Sequence, residues 1–221
     1  MSSVIVISPH PDDETLGCGG TLLKHNKNND DLYWLIITRP VEENYSKNFI
    51  QKRELEIEKV KSKYKFTKTF QLNYQSAKLD KILTSDLISD IGDVFKQINP
   101  EIIYLPFRND IHTDHKYVFD AVLSCTKSFR YPSIRKVLIY ETLSETEFAP
   151  SLTSNAFQPN CFSDISSFME EKVEIMKVYE SEMGEHPFPR SERNIKALAT
   201  YRGATAGVEY AEAFMILKEI F

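Results

Sequence analysis

Cysteine is nearly missing from this chain: Cys18, Cys125 and Cys161 stand far apart and form no Cys-x-x-Cys pair. That argues against a disulfide framework and for free thiols in a reducing compartment. Long apolar runs are missing too. None approaches the roughly 20 residues that cross a bilayer, and the opening MSSVIVIS has neither the basic nor the long apolar region of a signal peptide. Nor is there an excess of base: 27 Lys and Arg face 32 Asp and Glu, scattered, for a net charge of −5. Composition therefore gives no nucleic-acid footprint and no polybasic membrane footprint. What remains is a cytoplasmic protein of ordinary globular composition. Its 221 residues suffice for one substantial core and are short for two, so a single domain over residues 1–221 is expected.

Strand-like runs alternate with helix-like ones. VIVIS (Val4–Ser8) is a β-branched run suited to a strand buried on both faces. LYWLIIT (Leu32–Thr38), KTFQL (Lys68–Leu72), EIIYLP (Glu101–Pro106) and KVLIYET (Lys136–Thr142) supply four more. Between them the pattern predicts helices over Glu14–Asn26, Asn48–Tyr64, Ser85–Ile98 with Ser85 as N-cap, and His115–Ser128. Two others follow at Asp164–Glu182 and Ser191–Ala206, the last resuming after Gly207. Such alternation predicts an α/β fold with a mostly parallel sheet covered on both faces. Ligands of such sheets bind outside the C-terminal ends of strands.

Two strands end in unusual chemistry. The first runs into PHPDDE, with His10, Asp12, Asp13 and Glu14; the fourth runs into PFRNDIHTDH, with Asp110, His112, Asp114 and His115. Three of the five histidines sit in these two loops. Adjacent carboxylates repel one another and are costly at a buried strand end, but a dication compensates them, and His with Asp suits zinc. His10 and Asp13 can reach one metal around a Pro-punctuated turn. A third ligand from the second loop, His112 or His115, leaves a coordination position open for water.

Each loop alone has a plainer reading. Asp12 and Asp13 suit a helix N-cap with Glu14 in its first turn, and His112 and His115 suit surface positions flanking a helix start capped by Asp114. Convergence of the two loops is what favours a metal. GCGG (Gly17–Gly20) is no dinucleotide turn, because Leu22 stands at the third glycine position and the preceding residues are acidic. These glycines instead let the helix lie close on the sheet. A magnesium-binding receiver-like module would use Asp12 and Asp13 but leave His10, His112 and His115 idle. A glycosidase carboxylate pair likewise needs no histidine.

At these residues the chain resembles the LmbE-like, or PIG-L, family of metal-dependent N-acetylglucosamine deacetylases. Its signatures are a His-Pro-Asp-Asp-Glu turn after the first strand, matched by Pro9–Glu14, and a later His-Pro-Asp-His, which HTDH matches except for Thr113. QKRELE (Gln51–Glu56) is similar to the family's Arg-x-x-Glu. The segment from His186 to Phe214 is similar to the C-terminal region of one bacterial branch. The resemblance implies a Rossmann-like three-layer sandwich. It implies zinc, or ferrous iron, on His10, Asp13 and His115, with Asp12 as general base and His112 as general acid and oxyanion stabiliser held by Asp114. The implied substrate is an N-acetylated amino sugar or glycoconjugate; a non-sugar amide is the alternative.

Substrate contacts read more than one way. Arg53 lines the pocket by analogy or pairs with Glu56 on a helix surface. Asp110 contacts ring hydroxyls or caps its loop. Arg190, in the Pro-stiffened HPFPRS, forms a pocket wall or leads into a helix capped by Ser191, and His186 is read as an exposed loop residue. The pattern YRGATAGVEYAEAF suits packing or a homo-oligomer contact better than chemistry.

Overall fold

The computed structural model describes residues 1–150 and 152–221. The elements in chain order are β1 (Ser3–Ser8), α1 (Asp13–Lys27), β2 (Asp31–Arg39), α2 (Lys47–Tyr64), β3 (Lys68–Gln75), α3 (Thr84–Ile98) and β4 (Ile102–Pro106). They continue with α4 (Thr113–Ser124), β5 (Lys136–Tyr140), β6 (Cys161–Asp164), α5 (Met169–Met176), α6 (Glu192–Ala206) and β7 (Ala211–Glu219). The seven strands form one sheet in the order β3-β2-β1-β4-β5-β7-β6. The first five are parallel, while β7 runs antiparallel to both β5 and β6.

Side-chain alternation divides the core into two layers, one on each face of the sheet. Val4, Val6, Trp34 and Ile36 pack with α1, α2, α5 and α6, while Ile5, Ile7, Leu35 and Ile37 pack with α3 and α4. This is why β1 reads as an unbroken apolar run: both its faces are buried. The alternation-based expectation of a mostly parallel, doubly covered α/β sheet is met.

β1 pairs with β2 on one side and β4 on the other, so the chain reverses its direction of sheet growth between β1 and β4. Loops leaving these two strand ends open onto a common crevice, the usual ligand position of such sheets. Gly17 lets α1 lie against the sheet beside it, since a Cβ there would overlap the Tyr140 ring, and a Cβ at Gly20 would meet the Ile165 side chain.

The structure corrects several boundaries. α3 starts at Thr84 after an extended Leu83, so Ser85 sits inside the first turn rather than capping it. The helix expected over Asp164–Glu182 covers only Met169–Met176; Asp164 ends β6, residues 165–168 form a turn, and Glu180–Glu182 form a separate 3-10 turn. After Gly207, whose φ of 73° ends α6 in a left-handed turn, the chain does not resume a helix but forms β7. AEAFMILKE is rich in helix formers, and pairing along β5 and β6 overrides that propensity. Among the described residues no helix is long and apolar enough to cross a membrane.

Candidate active site

The turn after β1 is anchored from its neighbour: the Thr38 N–H and hydroxyl, near the end of β2, donate to the Pro9 carbonyl at 3.0 and 2.8 Å. Asp12 then takes a φ of 130°, a strained backbone for a residue with a Cβ. Glu14 holds it there. Its buried carboxylate accepts the Asp12 N–H at 3.1 Å, the Thr15 hydroxyl at 2.7 Å and the Tyr179 hydroxyl at 2.9 Å. Burial pushes the Glu14 acid up to about 7.

Asp13 opens α1 and turns Oδ2 onto the His10 N–H at 2.8 Å. The same oxygen lies 3.5 Å from His10 Nδ1 and 3.5 Å from His115 Nε2. The loop after β4 delivers His115 in the first turn of α4, where its Nδ1 meets Asp110 Oδ2 at 2.7 Å. That contact favours the ring proton on Nδ1, so that in the neutral ring Nε2 offers a lone pair on the side of Asp13. Against burial, Asp13 and Asp110 together raise the pKa of His115. His115 Nε2 is buried with no hydrogen-bond partner among the described residues. The ligating atoms of His10, Asp13 and His115 fall within 4.8 Å of one another. An orphaned imidazole nitrogen converging with a second imidazole and a carboxylate fits a divalent transition metal.

The electrostatics are those of a crowded anionic site. Burial opposes charge on His10, yet its hydrogen bonds to Asp114 and Asp13 hold its pKa up at about 10. Burial would raise Asp13, but His115 and His10 pull it down to about 2. Asp12 is pushed well above the carboxylate range by burial and by Asp13 beside it, with Arg190 opposing. Burial, helped by nearby His10, pushes His112 down to about 4.

His112 caps α4, its Nδ1 accepting the Asp114 N–H at 3.2 Å. With Nδ1 used as an acceptor, the neutral ring carries its proton on Nε2. Asp114 makes its closer contacts with other groups. Its Oδ2 faces His10 Nε2 at 3.1 Å and accepts the Ala77 N–H at 2.7 Å, whereas His112 Nδ1 is 3.9 Å away. The cap geometry is the reason: a ring nitrogen that accepts cannot also donate to the carboxylate.

These groups line one end of an open pocket of about 190 Å³. Arg53 of α2 and Arg190 line it too, and Glu182 joins them. Arg53 is buried, donating to the Pro11 carbonyl at 3.2 Å and to Glu182, with Glu56 at 3.4 Å. Arg190 donates to the Glu182 carbonyl at 2.8 Å and carboxylate at 2.9 Å, and lies 3.9 Å from Asp12. Tyr45 and Phe49, stacked with ring centroids 4.9 Å apart, form an outer wall.

Residues 5–126, more than half of the chain, match the family described as PIG-L: GlcNAc-PI de-N-acetylase. The chain belongs to the PIG-L family. A diacetylchitobiose deacetylase of Thermococcus kodakarensis is 25% identical over 229 residues, covering 100% of this chain and 85% of that protein. Among solved structures, a conserved protein of Thermus thermophilus, TT1542, superposes with a TM-score of 0.79 at 23% identity, covering 100% and 97% of the two chains. The N,N'-diacetylchitobiose deacetylase of Pyrococcus horikoshii, complexed with its inhibitor MPG, gives 0.78 at 21% identity, covering 97% and 83%. At such identities the structural likeness speaks for the fold.

Within this PIG-L site Asp110 is turned toward the protein. The Asp110 side chain is fully buried, with Oδ2 on His115 and Oδ1 accepting the Thr146 hydroxyl at 2.6 Å. His186 lies exposed in its loop. Sequence reading missed Glu182, Glu145, Tyr45 and Phe49, which line the pocket from loops or a helix end. None carries a motif; only the doubled Arg53 and Arg190 hinted that a carboxylate must lie between them.

Proposed function

We propose that this PIG-L chain is a metal-dependent hydrolase that removes the acetyl group from an N-acetylglucosamine-type sugar or glycoconjugate. The observation that carries the reading is the orphaned His115 Nε2, converging with His10 and Asp13 beside the strained Asp12 in a pocket. Family membership and the named deacetylase relatives support the amide chemistry.

His10, Asp13 and His115 would hold the metal, a donor set that suits zinc and also ferrous iron. A metal there lowers the pKa of a water it binds from about 15.7 toward about 7 and polarises a carbonyl. Asp110 keeps His115 in the ligating tautomer, as a carboxylate behind a ligand histidine does. Asp12 takes the proton of the attacking water; burial raises its basicity, and Arg190 at 3.9 Å keeps its charged form accessible. His112 presents Nε2–H to the oxyanion that develops on the acetyl carbonyl. It serves as general acid only as the imidazolium, giving one proton to the departing amine and staying behind as the neutral ring. Asp114 fixes His10 and the Ala77 peptide on the opposite wall.

The receiver-like alternative gives no role to three imidazoles whose ring centroids lie 4.3 to 5.8 Å apart. Acetate release is the deciding assay. Zinc-loaded protein should free acetate from N-acetylglucosamine conjugates, stop when the metal is chelated and restart on readdition. Turnover of simple acetylated amines with no turnover of any amino sugar would instead favour the non-sugar amidase.

A further inference from the structure

A buried ion pair from the far end of the chain reaches into the middle of α1. Lys172 on α5 and Glu212 on β7 are only 4% and 5% exposed, and Lys172 Nζ lies 2.7 Å from Glu212 Oε1. The same ammonium donates to the Leu16 carbonyl at 2.9 Å. Glu212 accepts the Gly20 N–H on Oε1 and the Thr21 N–H on Oε2, each at 2.8 Å. α1 runs as one helix from Asp13 to Lys27. In it the Gly20 N–H points along the axis to the Leu16 carbonyl and the Thr21 N–H to the Gly17 carbonyl, so these contacts reach rungs inside the helix. Here an external carboxylate serves both donors and an external ammonium serves one acceptor. Side chains that insert at such a rung set the local bend of a helix.

Buried ion pairs add little stability over apolar packing of the same volume, so the pair is better explained by position than by energy. It ties α1, α5 and β7 at one point. Gly20 is seven residues beyond Asp13, about 10 Å along the axis. A change of about 10° in bend there moves Asp13 by about 2 Å, and misplacements of about 1 Å already cost two orders of magnitude in rate. The segment bearing Lys172 also steadies the first turn directly, since the Tyr179 hydroxyl donates to Glu14. Close approach is built in, because a Cβ at Gly19 would meet the Lys172 side chain at 3.0 Å.

We infer that Lys172 and Glu212 are positioning residues that set the bend of α1 and thereby place Asp13 and Asp12 against His10 and His115. This rests on the metal-site reading above. The variants Lys172→Met and Lys172→Met/Glu212→Gln test it; the second leaves no uncompensated charge. Each should fold but bind Zn2+ at least tenfold more weakly in chelator competition, with kcat lowered tenfold or more and KM within threefold. Wild-type zinc affinity and kcat in a folded variant, with only Tm reduced, would overturn the inference. Wild-type protein supplies a test that needs no variant: adding Zn2+ should slow amide hydrogen exchange at Gly20 and Thr21 severalfold. Zinc that binds without changing exchange there sinks the inference; zinc that does not bind at all sinks the metal site instead.

Discussion

His115 Nδ1 lies 2.7 Å from Asp110 Oδ2, and both side chains are fully buried. The carboxylate therefore acts on the ring, and through it on whatever Nε2 holds. Replacing Asp110 with Ala leaves the tautomer of His115 unfixed. The expected loss is about 10- to 100-fold in zinc affinity, the range for partners that orient a metal-binding histidine. KM for an acetylated sugar should stay unchanged once the metal is saturating. A raised KM at intact zinc affinity, measured by chelator competition, would return Asp110 to the role of sugar contact.

Asp12 and Asp13 are neighbours in sequence with different duties. Asp13 points into the imidazole cluster, whereas Asp12 faces Arg190. Asp13→Asn should lose bound zinc. Asp12→Asn should retain it and lose about 10²- to 10⁴-fold in turnover, the usual contribution of a general base. His112→Ala should pattern with Asp12 and His115→Ala with Asp13. Zinc content by mass spectrometry alongside acetate release checks all four variants. Zinc lost equally from His112→Ala and His115→Ala would undo this division.

The first half of the chain was readable because its rules are local. A β-branched run followed by His-Pro-Asp-Asp marks a strand end and a candidate metal turn together, and the alternation of elements placed the second histidine loop beside it. In the last sixty residues α6 and its Ser191 cap were readable too, but the strands and the short α5 were not. Whether AEAFMILKE forms helix or strand depends on the open edge of β5, which no local pattern announces. Sequence leaves Asp110 open between ring hydroxyls and its own loop because exposure cannot be read from it; the pairing with His115 and Thr146 shows that the side chain faces inward. Glu182 is defined by two arginines more than a hundred residues and eight residues away, respectively.

Glu182 bridges Arg53 and Arg190, and Arg53 is 5% exposed. Glu182→Ala strands that guanidinium without its main counter-charge, although Glu56 stays at 3.4 Å. Breaking a fully buried pair costs about 3–5 kcal/mol; since Glu182 is 21% exposed, about 2 kcal/mol is expected here. Freed arginines also lose their fixed place in the pocket wall, so KM should rise severalfold with zinc affinity intact. Denaturant melts and steady-state kinetics read the two effects separately. A variant as stable as wild type with unchanged KM would show that the bridge matters to neither.

At the other end of α1, His25 sits 2.8 Å from Asp30 Oδ2 and 2.9 Å from the Tyr104 hydroxyl. Burial holds this imidazole below its ordinary 6.5, against the opposing pull of Asp30. A folded pKa below the unfolded one means that the unfolded chain binds the proton more readily. The contribution to stability is therefore present above about pH 6.5 and is lost as pH falls below it, toward the folded value. Wild-type Tm should decline more steeply between about pH 7.5 and about pH 5 than that of His25→Asn, which has no proton to take up there. Parallel Tm profiles would mean that the Asp30 contact cancels the burial and that His25 titrates alike folded and unfolded.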